Sequence, residues 1–182
     1  MALDMLGFYG PNAAPALDAI CTALDDPDID VACSAFFALK RVDPEGSRAV
    51  PALTQALRSA DDDHVQLASL VLAEYGSRAV PILEQHVRDH SGRSARSACL
   101  ALCGIGPHAV PSLMRLARDP RPDIRAVVAR VLGAMGRDAA PAESVLEAML
   151  NDPDASVRQK AAAALDKVKR GLPSTLQPPA VP

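Results

Sequence analysis

The feature that most constrains this chain is a recurrence. Gly76-Ser77-Arg78-Ala79-Val80-Pro81 returns as Gly106-Pro107-His108-Ala109-Val110-Pro111 and as Gly136-Arg137-Asp138-Ala139-Ala140-Pro141. Earlier copies are Gly10-Pro11-Asn12-Ala13-Ala14-Pro15 and, with an insertion, Gly46-Ser47-Arg48-Ala49-Val50-Pro51. The prolines at 15, 51, 81, 111 and 141 are separated by 36, 30, 30 and 30 residues. A fixed period of this length marks a chain of stacked units, each too small to bury its own apolar face.

Each unit reads as two helices. The first opens at Ala-Val-Pro and carries apolar side chains at helical spacing, Leu17, Ile20 and Leu24 in one copy and Val145, Leu146, Met149 and Leu150 in another. Proline is tolerated there because the first N–H groups of a helix have no partner within it. Asn12, Ser47, Ser77 and Asp138 are the expected caps. A short polar turn follows, such as Asp61-Asp62-Asp63, Ser91-Gly92 or Asp152-Pro153-Asp154. The second helix shows an Ala/Leu seam, as in Ile124, Val128, Val131, Leu132 and Met135, and stops at Gly136 as at a C-cap. Composition agrees. Hydrophobic residues make up 49% of the 182, with no Trp, two Tyr and three Phe. That Ala, Leu and Val content suits close-packed helices and excludes a mainly disordered chain.

The unit resembles a HEAT repeat, of the short kind named after the phycobilisome lyases. Asp152-Pro153-Asp154-Ala155-Ser156-Val157-Arg158 with Ala161, Ala162, Ala164 and Leu165 carries the resemblance, as does Asp123-Ile124-Arg125 through Leu132-Gly133. It runs from residue 2 to about 169. It implies an all-α, right-handed α-solenoid: a half repeat over 2–10, then repeats at about 11–46, 47–76, 77–106, 107–136 and 137–169. The half repeat either caps the array or continues a longer one. The Pro-rich stretch 170–182 cannot continue a helix and is expected to be disordered. In the family a turn Asp and a second-helix Arg form a ladder of ion pairs. Here only Arg125 and Arg158 fill the Arg position, and Ala32, Val65 and Ala95 replace it elsewhere, so an incomplete ladder is expected.

The resemblance also implies that second helices line a concave side. Aligned on their Ala-Leu pair, those helices place Phe37, Leu70, Leu100, Arg130 and Ala163 at one register position, where the resemblance implies a polar side chain facing the groove. Three large apolar groups there predict a strip that anchors a partner helix or peptide. Phe36 and Phe37 cannot both enter one core. Charge is uneven: residues 1–85 hold 5 basic and 13 acidic residues, residues 86–137 hold 9 and 3, and the whole chain is net −3. Arg96, Arg125 and Arg130 are expected to select an acidic partner. Nucleic acid fits less well, because the basic stretch lacks stacking residues and the acidic half repels phosphate.

No Gly-rich phosphate loop, Gly-x-Ser-x-Gly elbow or His-Glu-x-x-His motif occurs. The HEAT-like deoxyhypusine hydroxylases use His-Glu pairs for iron. Here His64, His86, His90 and His108 are followed by Val65, Val87, Ser91 and Ala109. His86 and His90 on one helix, with Cys99 and Cys103 on the next, have the residue types for zinc. Other copies put Ile20 and Leu24, or Ala129 and Gly133, at those positions, so packing variation accounts for all four. The expectation is no metal, no cofactor and no catalysis. A bilin-lyase role is the alternative that the resemblance implies, and polyanion binding through the basic repeats is a weaker one.

The start Met1-Ala2-Leu3-Asp4-Met5 lacks the basic and apolar regions of a signal peptide. No uninterrupted apolar run reaches the length of a membrane span. Cys21, Cys33, Cys99 and Cys103 each sit in an apolar helical pattern, which predicts reduced thiols and a cytoplasmic protein. The partners expected are a protein, with neither membrane nor nucleic acid, and a chain that is monomeric or associates weakly end to end. The combined reading is a non-catalytic scaffold that binds through its second-helix face, with Phe37, Leu70 and Leu100 as anchors.

Overall fold

A computed structural model describes residues 2–59 and 61–175. Regular structure among the described residues is entirely helical. The α-helices are α1 (Ala2–Tyr9), α2 (Leu17–Thr22), α3 (Ile29–Val42), α4 (Ala49–Ala56), α5 (Asp62–Ala73), α6 (Val80–Asp89), α7 (Gly92–Ile105), α8 (Val110–Leu116), α9 (Pro122–Met135), α10 (Glu143–Met149) and α11 (Ala155–Lys169). The chain divides into two compact units, Met1–Ile82 and Leu83–Pro182. Repeats contact only their neighbours, so no single core ties distant pairs together.

The second helices are α3, α5, α7, α9 and α11. Asp28, Asp61 and Asp154 cap three of them, accepting from the amides of Asp30, Asp63 and Ser156 at 3.0, 2.9 and 2.8 Å. These bonds satisfy amides that the helix leaves without a partner. The first helices start differently from expectation. Four of them are preceded by 3-10 turns, and no side chain of Asn12, Ser77 or Asp138 caps those turns. The tighter i→i+3 bonding of a 3-10 turn supplies acceptors that a cap would otherwise provide. At α4 the expected cap, Ser47, is itself held. The Asp43 carboxylate accepts from the amides of Ser47, Arg48 and Ala49 at 3.2, 2.7 and 2.9 Å, and the Ser47 hydroxyl donates to it as well. Burial alone would raise the Asp43 pKa, but the three amides outweigh it and hold the carboxyl below its ordinary range.

Leu39, Leu72, Leu102 and Leu132 occupy one register position of successive second helices, and all are fully buried. In unit 1, α1 packs on α3 and α3 on α5. In unit 2, α7 packs on α9 and α9 on α11. The last contact is the tightest. A Cβ at Gly133 would lie 2.8 Å from the Ala164 Cα, so glycine is what lets α11 approach. One step earlier Cys103 takes the corresponding place, its Sγ 3.6 Å from the Val131 carbonyl.

Charged side chains fix neighbouring pairs in register. Arg125 binds Asp152 with two bonds, Nε–Oδ2 at 2.7 Å and Nη2–Oδ1 at 2.8 Å, and the two side chains are only 13% and 8% exposed. Arg121 grips Asp119 at 2.7 Å and donates to the Val87 carbonyl at 2.6 Å. In unit 1, His64 reaches Asp61 at 3.1 Å and the Asp26 carbonyl at 3.0 Å, joining two successive turns. The ladder is therefore fuller than counting arginines at a single position predicts, because His64 and Arg121 approach the same turns from other positions.

Part of the tail is placed. Arg137 donates its amide to the Leu172 carbonyl at 2.9 Å, and the Thr175 amide donates to Ala134 at 2.9 Å. Gly136, at φ 56°, leaves the space, since a Cβ there would sit 2.1 Å from the Leu172 oxygen. Residues 171–175 of the stretch expected to be disordered lie against the end of α9, and its residues 176–182 lie outside the described residues. The run Gly92–Leu116 has the length and apolar content of a membrane span. However, Gly106, at φ 79°, breaks it into α7 and α8, and 56% of its most apolar stretch is buried in the protein.

Candidate interaction surface

The surface is set by where second-helix side chains leave the core. In unit 1, Phe36 is fully buried and Phe37 is 68% exposed, so the two neighbours take opposite faces. Leu70 holds the same register on α5 and is 51% exposed. Beside Phe37, the side chains of Leu3, Ser34 and Arg41 and the Gly7 backbone line a shallow cleft between α1 and α3. On α5, Asp61 at the N-terminal end is held below its ordinary range by the Asp63 amide and His64. At the other end of α3, Lys40 donates to the Glu74 carbonyl at 2.9 Å and lies 4.3 Å over the Tyr75 ring. This part of unit 1 is an apolar row bordered by charges of both signs.

In unit 2, Leu100 is 40% exposed, and Arg96, Arg130 and Ala163 are exposed. Arg125 is not available as a selecting charge. Both edges of its guanidinium are committed to Asp152 and to the carbonyls of Asp119 and Pro120, because its helix position faces the next turn rather than solvent. Two cations that sequence reasoning did not single out stand near Arg130. Lys160 and Lys167 line, with Arg130, a cleft between α9 and α11 whose floor is Gly133, Ala163 and Ala164. The same register alignment that isolates Arg130 would have found them one turn before and after Ala163. Sequence reasoning also passed over Met5, Phe8 and Tyr9, which are 51%, 78% and 56% exposed along one side of α1.

The first-helix side of unit 2 carries a carboxylate hub. Glu84 is bound by Arg115 Nε at 2.9 Å, Arg88 Nη2 at 2.8 Å and the Ser112 hydroxyl at 2.7 Å. The Arg115 bonds lead in holding its pKa down to about 2, against the effect of burial.

The four candidate metal ligands do not converge. The His86 and His90 rings stack with centroids 4.0 Å apart. His86 Nε2 pairs with the Ser94 hydroxyl at 2.6 Å, and His90 Nδ1 lies 3.0 Å from the His86 carbonyl. Cys99 and Cys103 are buried, and Cys103 faces α9. Burial pushes the Cys99 thiol up to about 12 and the Cys103 thiol up to about 11, and lowers His86 to about 4. Thiols held protonated in this way are poor ligands and poor nucleophiles. Among the described residues, no group of three or more His, Cys, Asp or Glu is placed to hold a metal ion.

Stacked helix pairs with buried leucines in register and a solvent-facing row on the second helices define a helical-repeat protein. A family model for HEAT repeats matches residues 17–103 and 88–166, and the chain belongs to that family. Among solved structures it is similar to the complex of CpcE and CpcF of phycocyanin lyase from Nostoc sp. PCC7120, with 23% identity and a TM-score of 0.54 over 85% of this chain and 65% of that one. It is similar to human deoxyhypusine hydroxylase in complex with glycerol, with 24% identity and a TM-score of 0.55 over 86% and 63%. A designed armadillo repeat protein matches with 17% identity and a TM-score of 0.44 over 92% of each chain. The chain spans just under two thirds of the length of the lyase and hydroxylase chains, and likeness at this identity carries the fold alone. No curated protein matches.

Proposed function

We propose that this chain is an interaction scaffold whose second-helix faces hold a partner protein. Phe37 and Leu70 are the anchors in unit 1, and Leu100 is the anchor in unit 2, flanked by Arg96 and Arg130. One observation carries the reading. At a single register position, side chains 68%, 51% and 40% exposed stand two residues before leucines that are fully buried. Apolar area left in water is a cost of about 25 cal/mol per Å² that a docked apolar face would remove. The four free cysteines fit a reducing compartment, the cytoplasm.

The test is capture of partner from an extract of the source cells by the full chain and by the double variant Leu70→Glu, Leu100→Glu. Both side chains are at the surface, so helical content by circular dichroism is expected to be unchanged while capture is lost. Retained capture would overturn the assignment of this face.

A further inference from the structure

Several carboxylates of unit 2 are taken up by its own cations. Glu84 is held by Arg88 and Arg115, Asp119 by Arg121, and Asp152 by Arg125. Glu143 and Glu147 are held by Lys169 at 3.4 and 2.8 Å, and Asp166 by Arg170 at 3.2 Å. On the second helices, Asp123 opens α9 and Asp166 lies on α11 paired with Arg170, and the cleft between the two helices is lined by cations. Arg130, Lys160 and Lys167 converge on the cleft between α9 and α11, over the small side chains of Ala163 and Ala164 and the bare backbone of Gly133. Lys160 Nζ bonds the Ser156 hydroxyl at 2.8 Å, and among the described residues no carboxylate pairs with any of the three. Three like charges around one depression repel one another, and anionic groups entering it would relieve that repulsion.

We propose that this cleft binds an acidic peptide segment of the partner. Its carboxylates engage Arg130, Lys160 and Lys167, and its small apolar side chains rest on the floor. The assignment rests on the interaction-scaffold reading and names the chemistry of what that scaffold holds. The floor favours a peptide because it is built of methyl groups and backbone, which offer no platform for a base. Every Phe and Tyr of the protein lies at positions 8, 9, 36, 37 or 75, outside unit 2, so the stacking that single-stranded nucleic acid requires is missing beside the cations. Leu100, on the adjoining α7, extends the apolar contact within the same unit.

The experiment is fluorescence anisotropy with the full chain. The probe is a fluorescein-labelled peptide in which Glu recurs every third or fourth residue among Ala and Leu. Its Gln counterpart and an oligothymidylate of matched charge are measured beside it. The Glu peptide is expected to bind saturably, with the Gln peptide at least about tenfold weaker. Arg130→Glu with Lys167→Glu is expected to weaken the Glu peptide by about tenfold or more, since exposed charge pairs are individually modest but here three act together. Arg118→Glu with Arg137→Glu makes the same change in net charge at exposed positions elsewhere in unit 2 and is expected to leave binding unaltered. If the reversed pair in the cleft fails to fold, Arg130→Gln with Lys167→Gln replaces it and is expected to weaken binding in the same direction. No saturable binding, equal binding of the Gln peptide, or equal loss in both charge-reversed variants would overturn the proposal. Oligothymidylate binding as tightly as the Glu peptide would also overturn it, in favour of a general polyanion site. Should the peptide fail while Leu70→Glu, Leu100→Glu still abolishes partner capture, the scaffold reading stands without this cleft.

Discussion

Glu84→Gln isolates the ionic hub on the first-helix side of unit 2. The substitution keeps the shape of the side chain and the bond from Ser112, but it removes the charge that faces Arg88 and Arg115. Glu84 is 11% exposed at its side chain, whereas Arg88 and Arg115 are 46% and 55% exposed and can return to water. The loss should therefore come from the carboxylate's own stabilisation rather than from stranded cations. A carboxyl held at about 2 instead of 4.5 corresponds to about 3 kcal/mol of stability at neutral pH. Its folded-state pKa is depressed, so this stability is present above 4.5 and is lost as the pH falls from 4.5 towards 2.

Urea unfolding followed by far-ultraviolet circular dichroism, across a pH series, measures it. Glu84→Gln should be about 3 kcal/mol less stable at pH 7, with an unchanged dependence on urea, and the deficit should close as both proteins approach pH 2. Asp119 and Asp152, also held low by their arginines, titrate in both proteins and cancel in the difference. A deficit below about 1 kcal/mol at pH 7 would refute the hub, being no more than an exposed ion pair supplies. A deficit that persists undiminished at pH 2 would show that the variant suffers from packing rather than lost charge.

Two further substitutions test the contacts between repeats. Gly133→Val sets carbon against the Ala164 backbone, with the first added atom already at 2.8 Å, and should cost about 1–3 kcal/mol in thermal or urea unfolding; a neutral effect would mean that α9 and α11 are not pressed together there. Arg125→Met alone should cost about 3–5 kcal/mol by stranding the nearly buried Asp152, and adding Asp152→Leu should recover most of that loss; equal stability of the single and double variants would deny that the pair is buried.

Much of the fold could be read in the chain because the recurring signal is redundant. Five copies of the Gly-to-Pro signature fix the period, and one leucine per second helix fixes the register. That register in turn puts Phe37, Leu70, Leu100 and Arg130 at the surface. Polar detail was less legible, because it depends on which neighbour a side chain reaches. Ser47 has the composition of a cap, yet it serves Asp43, which lies within the insertion and has no counterpart in a 30-residue repeat. Arg125 has the charge of a selector, yet Asp152, 27 residues away in sequence, claims it. Lys160 and Lys167 carried no motif at all. They matter through Gly133, a residue whose meaning is the approach of another helix and is invisible until the two helices are placed together.

The distribution of charge in unit 2 follows from the architecture. Adjacent helix pairs share small apolar seams built largely from Ala, Leu and Val, and such seams specify register weakly, because sliding by one turn replaces one methyl group with another. Directional contacts must supply the register, and the turns and first helices are where neighbouring repeats bring polar groups together: Arg125 to Asp152, Arg121 to the Val87 carbonyl, Arg115 to Glu84 across 31 residues. Carboxylates are drawn into those contacts because each can accept from two donors at once. The second-helix face has no such task. A cation left there without a carboxylate to pair with contributes little to holding the repeats together and keeps a cost in mutual repulsion. Stability alone therefore gives no reason for Arg130, Lys160 and Lys167 to surround one cleft, whereas recognition of an acidic segment gives one.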